Sequence, residues 1–137
     1  MNLVDVLLAA DKNQLLNTQT KEYEVVRLTN ILGQPFILNL KAIPSKRYTE
    51  IQSMAVRVKK NGNNEINLYQ LQILTLVDGI QSPALNSPEL LKHFDAASPA
   101  DLLNNLLLAG EISDIASEIT KLSGYDEIEE KVKEVKN

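Results

Sequence analysis

The chain has 137 residues, of which 44% are hydrophobic and 23% charged, and its formal net charge is −4. This length and composition are typical of one globular domain, which we predict over residues 1–125, followed by a charged tail over residues 126–137 that is helical or frayed. No apolar run approaches the roughly 18 residues that a membrane-spanning helix needs, and the N-terminus lacks the basic start and cleavage site of a signal peptide. We therefore expect a cytoplasmic protein that does not cross a membrane.

Residue types that carry chemistry are scarce in this chain. It has no cysteine and one histidine, His93, which leaves no disulfide, no thiolate nucleophile and no zinc cluster of the usual kind. It also lacks a glycine-rich phosphate loop, a G-x-S-x-G sequence and an H-E-x-x-H sequence. The sequence contains no motif typical of a cation site built from carboxylates alone. The sequence predicts a non-enzymatic protein with no catalytic residue, no cofactor and no metal.

The first third of the chain predicts a helix and a β-hairpin. An amphipathic helix is expected around residues 3–8, where four apolar side chains share one side, and a polar connector follows it. Two strand-like runs, residues 22–28 and 36–43, are separated by TNILGQP, in which Gly33 and Pro35 favour a turn. The sequence offers no third confident strand, so at least one edge of this hairpin is expected to be uncovered.

The middle of the chain predicts helices. Pro44 suits a first helical turn, and apolar residues continue at helical spacing to Val58. The run EINLYQLQILTLVDG, residues 65–79, is apolar on more than one side and predicts a central buried helix ending at Gly79. Ser87 and Pro88 then form a typical start for a short helix.

The stretch SPADLLNNLLLAGEISDIASEITKLSGY, residues 98–125, predicts two packed helices. Ser98 is the expected N-cap, with Pro99 in the first turn and Asp101 near the positive helix end. We expect Gly110 to break or kink the helix and Gly124 to end the second one in a left-handed conformation, with Tyr125 folding back on Ile119.

The predicted fold class is α+β, with an N-terminal β-hairpin packed against a mainly α-helical bundle. Six side chains from the predicted helices are expected in its core: Leu71, Leu74, Leu103, Leu106, Ile115 and Ile119.

Residues 41–60 are locally basic, with six lysine and arginine residues against Glu50 alone. Such a patch could contact nucleic acid, but a charge run on a helix is usually its solvated face, and the acidic chain would be repelled by phosphates. Nucleic-acid binding is therefore the weaker alternative.

Five sequence features in one order resemble a known family. They are the run LTNILGQPFILNLKAI, the apolar LQILTLVDG, the turn GIQSPAL, the helix start AASPADL and the closing GEI…LSGY. Together they resemble the XkdN-like phage tail assembly chaperones over residues 25–125, with the N-terminal helix and the tail outside the resemblance.

The resemblance implies a non-enzymatic chaperone of the bacterial host cytoplasm. Such proteins are expected to bind the tape measure protein of a phage or prophage and to keep it soluble while the tail tube assembles. Further implied partners are the tail tube protein and a frameshift-extended form of the same chain. A structural tail component or adaptor is the alternative from a different class.

A partner surface is predicted around the Gly110 break from Leu102, Leu107, Leu108 and Ile112, because a break between helices creates a concavity. We also expect a weak homo-oligomer that forms through the uncovered strand edge, unless Lys21, Arg27 and Lys41 protect that edge.

Overall fold

The structure, a computed structural model, describes residues 2–58 and 60–125 of the chain. These residues form an α+β fold with a small antiparallel sheet, as predicted. The helices within this part are α1 (Leu3–Ala9), α2 (Lys12–Leu16), α3 (Val26–Leu32), α4 (Ser45–Met54), α5 (Leu68–Gly79), α6 (Pro88–His93), α7 (Pro99–Leu106) and α8 (Ala109–Leu122). The strands are β1 (Thr20–Glu24), β2 (Ile37–Lys41), β3 (Val56–Val58), β4 (Asn64–Ile66) and β5 (Ile80–Ser82). None of these helices is long and apolar enough to cross a membrane.

A three-stranded antiparallel sheet has the order β1-β2-β5. Its register pairs Thr20 with Lys41 at one end of β1 and Glu24 with Ile37 at the other. Leu38 and Leu40 of β2 are buried, because β2 is the central strand and α8 packs against it. The expectation that no third strand exists was wrong, since β5 covers the edge of β2 that faces away from β1.

The predicted hairpin is interrupted by a helix. β1 ends at Glu24, and α3 occupies residues that had been assigned to the first strand and to the turn. Gly33 ends α3 with a φ of 72°, and its N–H donates to Thr29 O at 2.9 Å. The left-handed conformation at this position favours glycine. The two strands do pair, but a seven-residue helix joins them instead of a turn.

The helix that begins after Pro44 is shorter than predicted. α4 ends at Met54, and residues 56–58 form β3, which pairs with β4 as a two-stranded ribbon. The prediction of helix through Val58 was therefore wrong. Two valines among these three residues fit a strand better than a helix.

The polar connector predicted after the first helix contains a short helix, α2.

The central helix is confirmed as α5, but it begins at Leu68, and the first two residues of the predicted run, Glu65 and Ile66, lie in β4. The helix contacts α4, α7, α8 and β5, and its buried residues include Ile73 and Leu76. Gly79, its last residue, faces Ile119 of α8 so closely that an added Cβ atom would lie 2.5 Å from Ile119 Cδ1. Glycine therefore permits α5 and α8 to pack against each other at this point.

The two C-terminal helices form as predicted, with one correction. The Ser98 side chain caps α7 by accepting the Asp101 N–H at 3.1 Å. The chain breaks between the helices at Leu107 and Leu108, and Gly110 lies inside α8. Extended backbone at Leu107 and Leu108 produces the corner, so the prediction of a break at Gly110 was wrong.

The end of α8 has the hydrogen bonds of a Schellman motif. Gly124 has a φ of 100°, and the Tyr125 N–H donates to Thr120 O at 3.2 Å. The ring of Tyr125 packs on Tyr48, with centroids 5.1 Å apart.

The predicted core is largely confirmed. Leu103, Ile115 and Ile119 are buried, while Leu71, Leu74 and Leu106 are partly buried and pack against the core. The charged tail, residues 126–137, lies outside the described residues.

Candidate functional site

An apolar groove lies between α3, α6 and α7, above the first half of β2. Its volume is about 390 Å³, and only nonpolar surface lines it. The lining side chains are hydrophobic without exception: Leu28, Ile31, Leu32, Phe36, Leu38, Pro83, Leu85, Leu90, Phe94, Leu102, Leu103, Leu106 and Leu107. Clefts of roughly 300–1,000 Å³ are typical of small-molecule sites.

The floor of the groove belongs to the core and its rim does not. Leu38, Leu102 and Leu103 are almost fully buried at the bottom. At the rim, Ile31 is 67% exposed, Leu32 58% and Phe94 42%. Contiguous exposed apolar groups of this kind mark interaction sites more often than singly scattered ones do. The rim residues are therefore available to a partner without any rearrangement of the core.

Helix α3 positions one wall of the groove. Its residues Leu28, Ile31 and Leu32 recur at i, i+3 and i+4, so they share one face of the helix. The helix enters from β1 at Val25, whose N–H donates to Phe36 O at 3.0 Å. This bond holds the start of α3 against the chain that leads into β2, and it brings Phe36 into the same wall.

Helix α7 forms the opposite wall, and Arg27 links the two. The Arg27 guanidinium donates from Nη2 to Glu111 Oε1 at 2.9 Å and to the Leu106 carbonyl at 2.9 Å. Glu111 also accepts the Leu108 N–H at 2.8 Å. The hydrogen bond from Arg27 holds the pKa of Glu111 below its ordinary value, with the Leu108 N–H adding to the effect against the opposing effect of burial. The pair thus fixes α3 against the corner between α7 and α8.

Helix α6 contributes the third side. Ser87 caps it by accepting the Leu90 N–H at 3.5 Å, and Pro88 begins it, as predicted. Phe94 follows its last turn, with the His93 ring edge-on to the Phe94 ring at 5.0 Å. His93 therefore contacts an aromatic side chain at the rim of the groove.

The four residues predicted for partner binding differ in burial and in whether they line the groove. Leu102 and Leu107 line the groove, at 1% and 6% exposure, so they form its base. Ile112 is buried in α8 and is not part of the lining. Leu108 is 57% exposed at the corner before α8 and lies outside the lining residues. Of the four, Leu108 alone presents a large exposed surface.

Most of the groove was missed by sequence reasoning. Ile31, Leu32 and Phe36 had been placed in a turn or strand, although Gly33 following a Leu28–Ile31–Leu32 spacing is a recognisable helix end. The sequence pattern gave Phe94 no functional role. No local pattern could have joined these residues, because the groove unites segments up to 79 residues apart, as in the bond from Arg27 to Leu106.

The basic segment does not form one continuous helical face. Lys41 lies in β2, Lys46 and Arg47 in α4, and Arg57 in β3. Arg47 donates to Asp78 Oδ1 from Nη2 at 3.2 Å and to Glu50 Oε2 from Nη1 at 3.2 Å. These carboxylates neutralise part of the charge that a phosphate backbone would need.

No group of three or more His, Asp or Glu side chains within residues 2–58 and 60–125 is arranged to hold a metal ion. The apolar groove, and not a polar cluster, is therefore the candidate site.

Comparison with known proteins gives the family. A family model described as "Phage XkdN-like tail assembly chaperone protein" matches residues 4–136. The match begins within α1 and extends past Tyr125, so the expectation that the N-terminal helix and the tail lie outside the resemblance was wrong. No curated protein matches the chain.

A solved structure has a similar fold. The crystal structure of the protein yqbn superposes with a TM-score of 0.58 at 18% sequence identity, covering 86% of this chain and 99% of that one. At this identity the likeness shows the fold alone. The family match, which covers nearly the whole chain, identifies the protein as a member of the XkdN-like phage tail assembly chaperone family.

Proposed function

We propose that this chaperone binds an apolar helical segment of a tape measure protein in the groove between α3, α6 and α7. Binding keeps the tape measure protein soluble in the host cytoplasm while the tail tube assembles around it, and it involves no catalysis. The single observation that carries the proposal is a groove of about 390 Å³ lined without any polar surface.

The chemistry of the groove fits a helix better than an extended peptide. An extended strand would leave its backbone N–H and C=O groups facing a wall that offers them no partner, at a cost of roughly 1–3 kcal/mol for each buried group. A helix satisfies its backbone internally and presents only side chains. An amphipathic helix with apolar anchors at i, i+3 and i+4 is therefore the partner element that the groove can accept.

The rim supplies the contacts that a partner gains on arrival. Fully burying one leucine-sized side chain contributes about 1.5–3 kcal/mol, so two or three anchors against Ile31, Leu32 and Phe94 provide a useful but reversible affinity. Reversible binding suits a chaperone that must release the tape measure protein to the tail tube. Leu108, exposed beside the groove, extends this contact surface, with Leu102 and Leu107 supporting it from below.

Co-expression tests the proposal. The tape measure protein of the same phage or prophage should be soluble with the wild-type chaperone and insoluble alone. Phe94→Glu places a charge at the rim and should abolish this rescue. Met54→Glu is the matched control, since Met54 is 44% exposed on a different helix, and it should rescue as the wild type does.

Three outcomes count against the proposal. Equal rescue by Phe94→Glu and the wild type would remove the groove from the mechanism. Equal loss with Met54→Glu would mean that any added charge disturbs the protein. Finding the chain in purified particles would favour a structural tail component or adaptor.

A further inference from the structure

The N-terminal arm, residues 2–18, carries an apolar helix that lies exposed in the described part of the chain. All seven residues of α1 are exposed, and they include Leu3 at 79%, Leu7 at 62% and Leu8 at 79%. At about 100° per residue, Leu3, Leu7 and Val4 lie within about 100° of arc and form one face. A helix of this length without packing partners is marginal in water. The arm therefore gains stability if this face is buried.

The arm and the groove lie at opposite ends of the same strand. The arm joins the sheet beside Thr20, where the Ala42 N–H donates to Gln19 O at 2.9 Å. The groove lies at the other end of β1, where Glu24 pairs with Ile37. Four residue steps of about 3.4 Å separate these ends by about 14 Å. In this structure of a single chain the arm leaves its own groove open.

We propose that the groove of one copy of this chain receives α1 of a second copy. The two surfaces match in chemistry, since the groove offers no polar partner and α1 presents leucine and valine side chains. The contact joins two different surfaces, α1 of one copy and the groove of another. Reciprocal contacts between two copies close a dimer, and unreciprocated contacts build rings or open chains.

This inference does not depend on the tape measure proposal, although an arm and a tape measure helix in the same groove would exclude each other. It also differs from association through a strand edge, because it places the contact on α1 and on the walls of the groove.

The absence of native cysteine allows a direct test with full-length single-cysteine variants. Val4→Cys marks the arm, Leu32→Cys marks the rim of the groove, and Ser53→Cys marks an exposed position on α4 as the control. A mass tag on the Val4→Cys chain distinguishes mixed disulfides from homodimers on a non-reducing gel. We expect a mixed disulfide between Val4→Cys and Leu32→Cys, formed several-fold more than that between Val4→Cys and Ser53→Cys.

Each other outcome overturns the inference. Equal cross-linking to Ser53→Cys would indicate random collision, and no cross-linking would leave the arm without this partner. An intramolecular bond in the Val4→Cys, Leu32→Cys double variant, without mixed disulfides between chains, would place the arm in its own groove. A chain whose cysteines do not cross-link but which still binds a tape measure peptide would sink this inference and leave the proposed function standing.

A second measurement uses chains without cysteine. Leu7→Asp should reduce the sedimentation coefficient at high concentration to that of the monomer. In dilute solution its melting temperature should equal that of the wild type, because α1 contributes no buried residue to the core of one chain. Gln14→Glu adds the same charge to an exposed position of α2 and should leave the self-association intact. Equal sedimentation of Leu7→Asp and the wild type would contradict the role of α1.

Discussion

Arg27 of α3 and Glu111 of α8 form a two-pronged ion pair, with Nη2 2.9 Å from Oε1 and Nε 3.0 Å from Oε2. The same guanidinium donates to the carbonyl of Leu106, and the same carboxylate accepts the N–H of Leu108. One pair therefore holds two walls of the groove together and caps the helix that follows. The groove keeps its width because this contact fixes α3 relative to α7.

We predict that Glu111→Gln lowers stability at pH 7 and that its effect disappears in acid. The pKa of Glu111 is lowered in the folded chain by Arg27. Its contribution is therefore fully present above the unfolded pKa of about 4.3 and is lost as the pH falls through the lower folded value. Urea unfolding at pH 7 and at pH values below 4 measures the difference. A difference that stays constant across this range would contradict the ion-pair explanation.

Gly79→Ala should destabilise the protein by about 1–3 kcal/mol, because an added methyl group overpacks a filled core. Three atoms of Ile119 lie within 3 Å of the added Cβ position, and Ile119 is fully buried. Gly110→Ala is the matched control, since a Cβ at that position meets nothing within 4 Å. It should be neutral or stabilising by up to about 1 kcal/mol. Thermal unfolding of both variants tests the prediction, which fails if they are equally stable.

Gly124→Ala should lower stability by about 1 kcal/mol, because alanine is strained at a φ of 100°. No side chain crowds this position, so the effect comes from the backbone alone. Gly124→Asn should cost less, since asparagine tolerates the left-handed conformation better. Denaturant midpoints that rank alanine above asparagine would contradict this account of the end of α8.

The four residues predicted for partner binding should separate into two classes. Leu102→Ala should cost about 2–5 kcal/mol because it opens a cavity in the core. Leu108→Ala should change stability by less than about 0.5 kcal/mol, since its side chain is exposed. Leu108→Glu should weaken rescue of a tape measure fragment without changing the melting temperature. A Leu108→Glu chain that unfolds would mean that this leucine supports the corner between the helices.

The sequence predicts an element well where its pattern is local and long. The apolar run that predicts α5 lies within that helix, and the Ser98 cap lies directly before α7. The structure contains both the helix and the cap. β5 has only three residues, directly after Gly79, which is too short for a period of two to be visible. The start of α3 was assigned to a strand because valine-rich residues favour β-structure, and the rest was assigned to a turn. The cap at Gly33 and the burial of Leu28 stabilise a helix there instead.

The candidate site was predictable only in part. Leu102 and Leu107 were selected from the leucine cluster and do line the groove. Their burial could not be read from the helix pattern, because it depends on α3 and α6 arriving from distant parts of the chain. The exposure of Ile31 and Phe94 depends on the same packing of α3 and α6 against the rest of the chain. The sequence alone therefore could not predict the rim.

The central claim is that the groove binds an apolar helix of the tape measure protein, and calorimetric titration with tiled tape measure peptides tests it most directly. Ile31→Lys alters the rim, and Ile66→Lys is the matched control at similar exposure, 61% against 67%. We predict that the tightest-binding peptide binds the wild type and Ile66→Lys equally, and binds Ile31→Lys about tenfold or more weakly, a difference of about 1.4 kcal/mol or more. Equal affinity for Ile31→Lys and the wild type, or no binding of any peptide to the wild type, would contradict the claim.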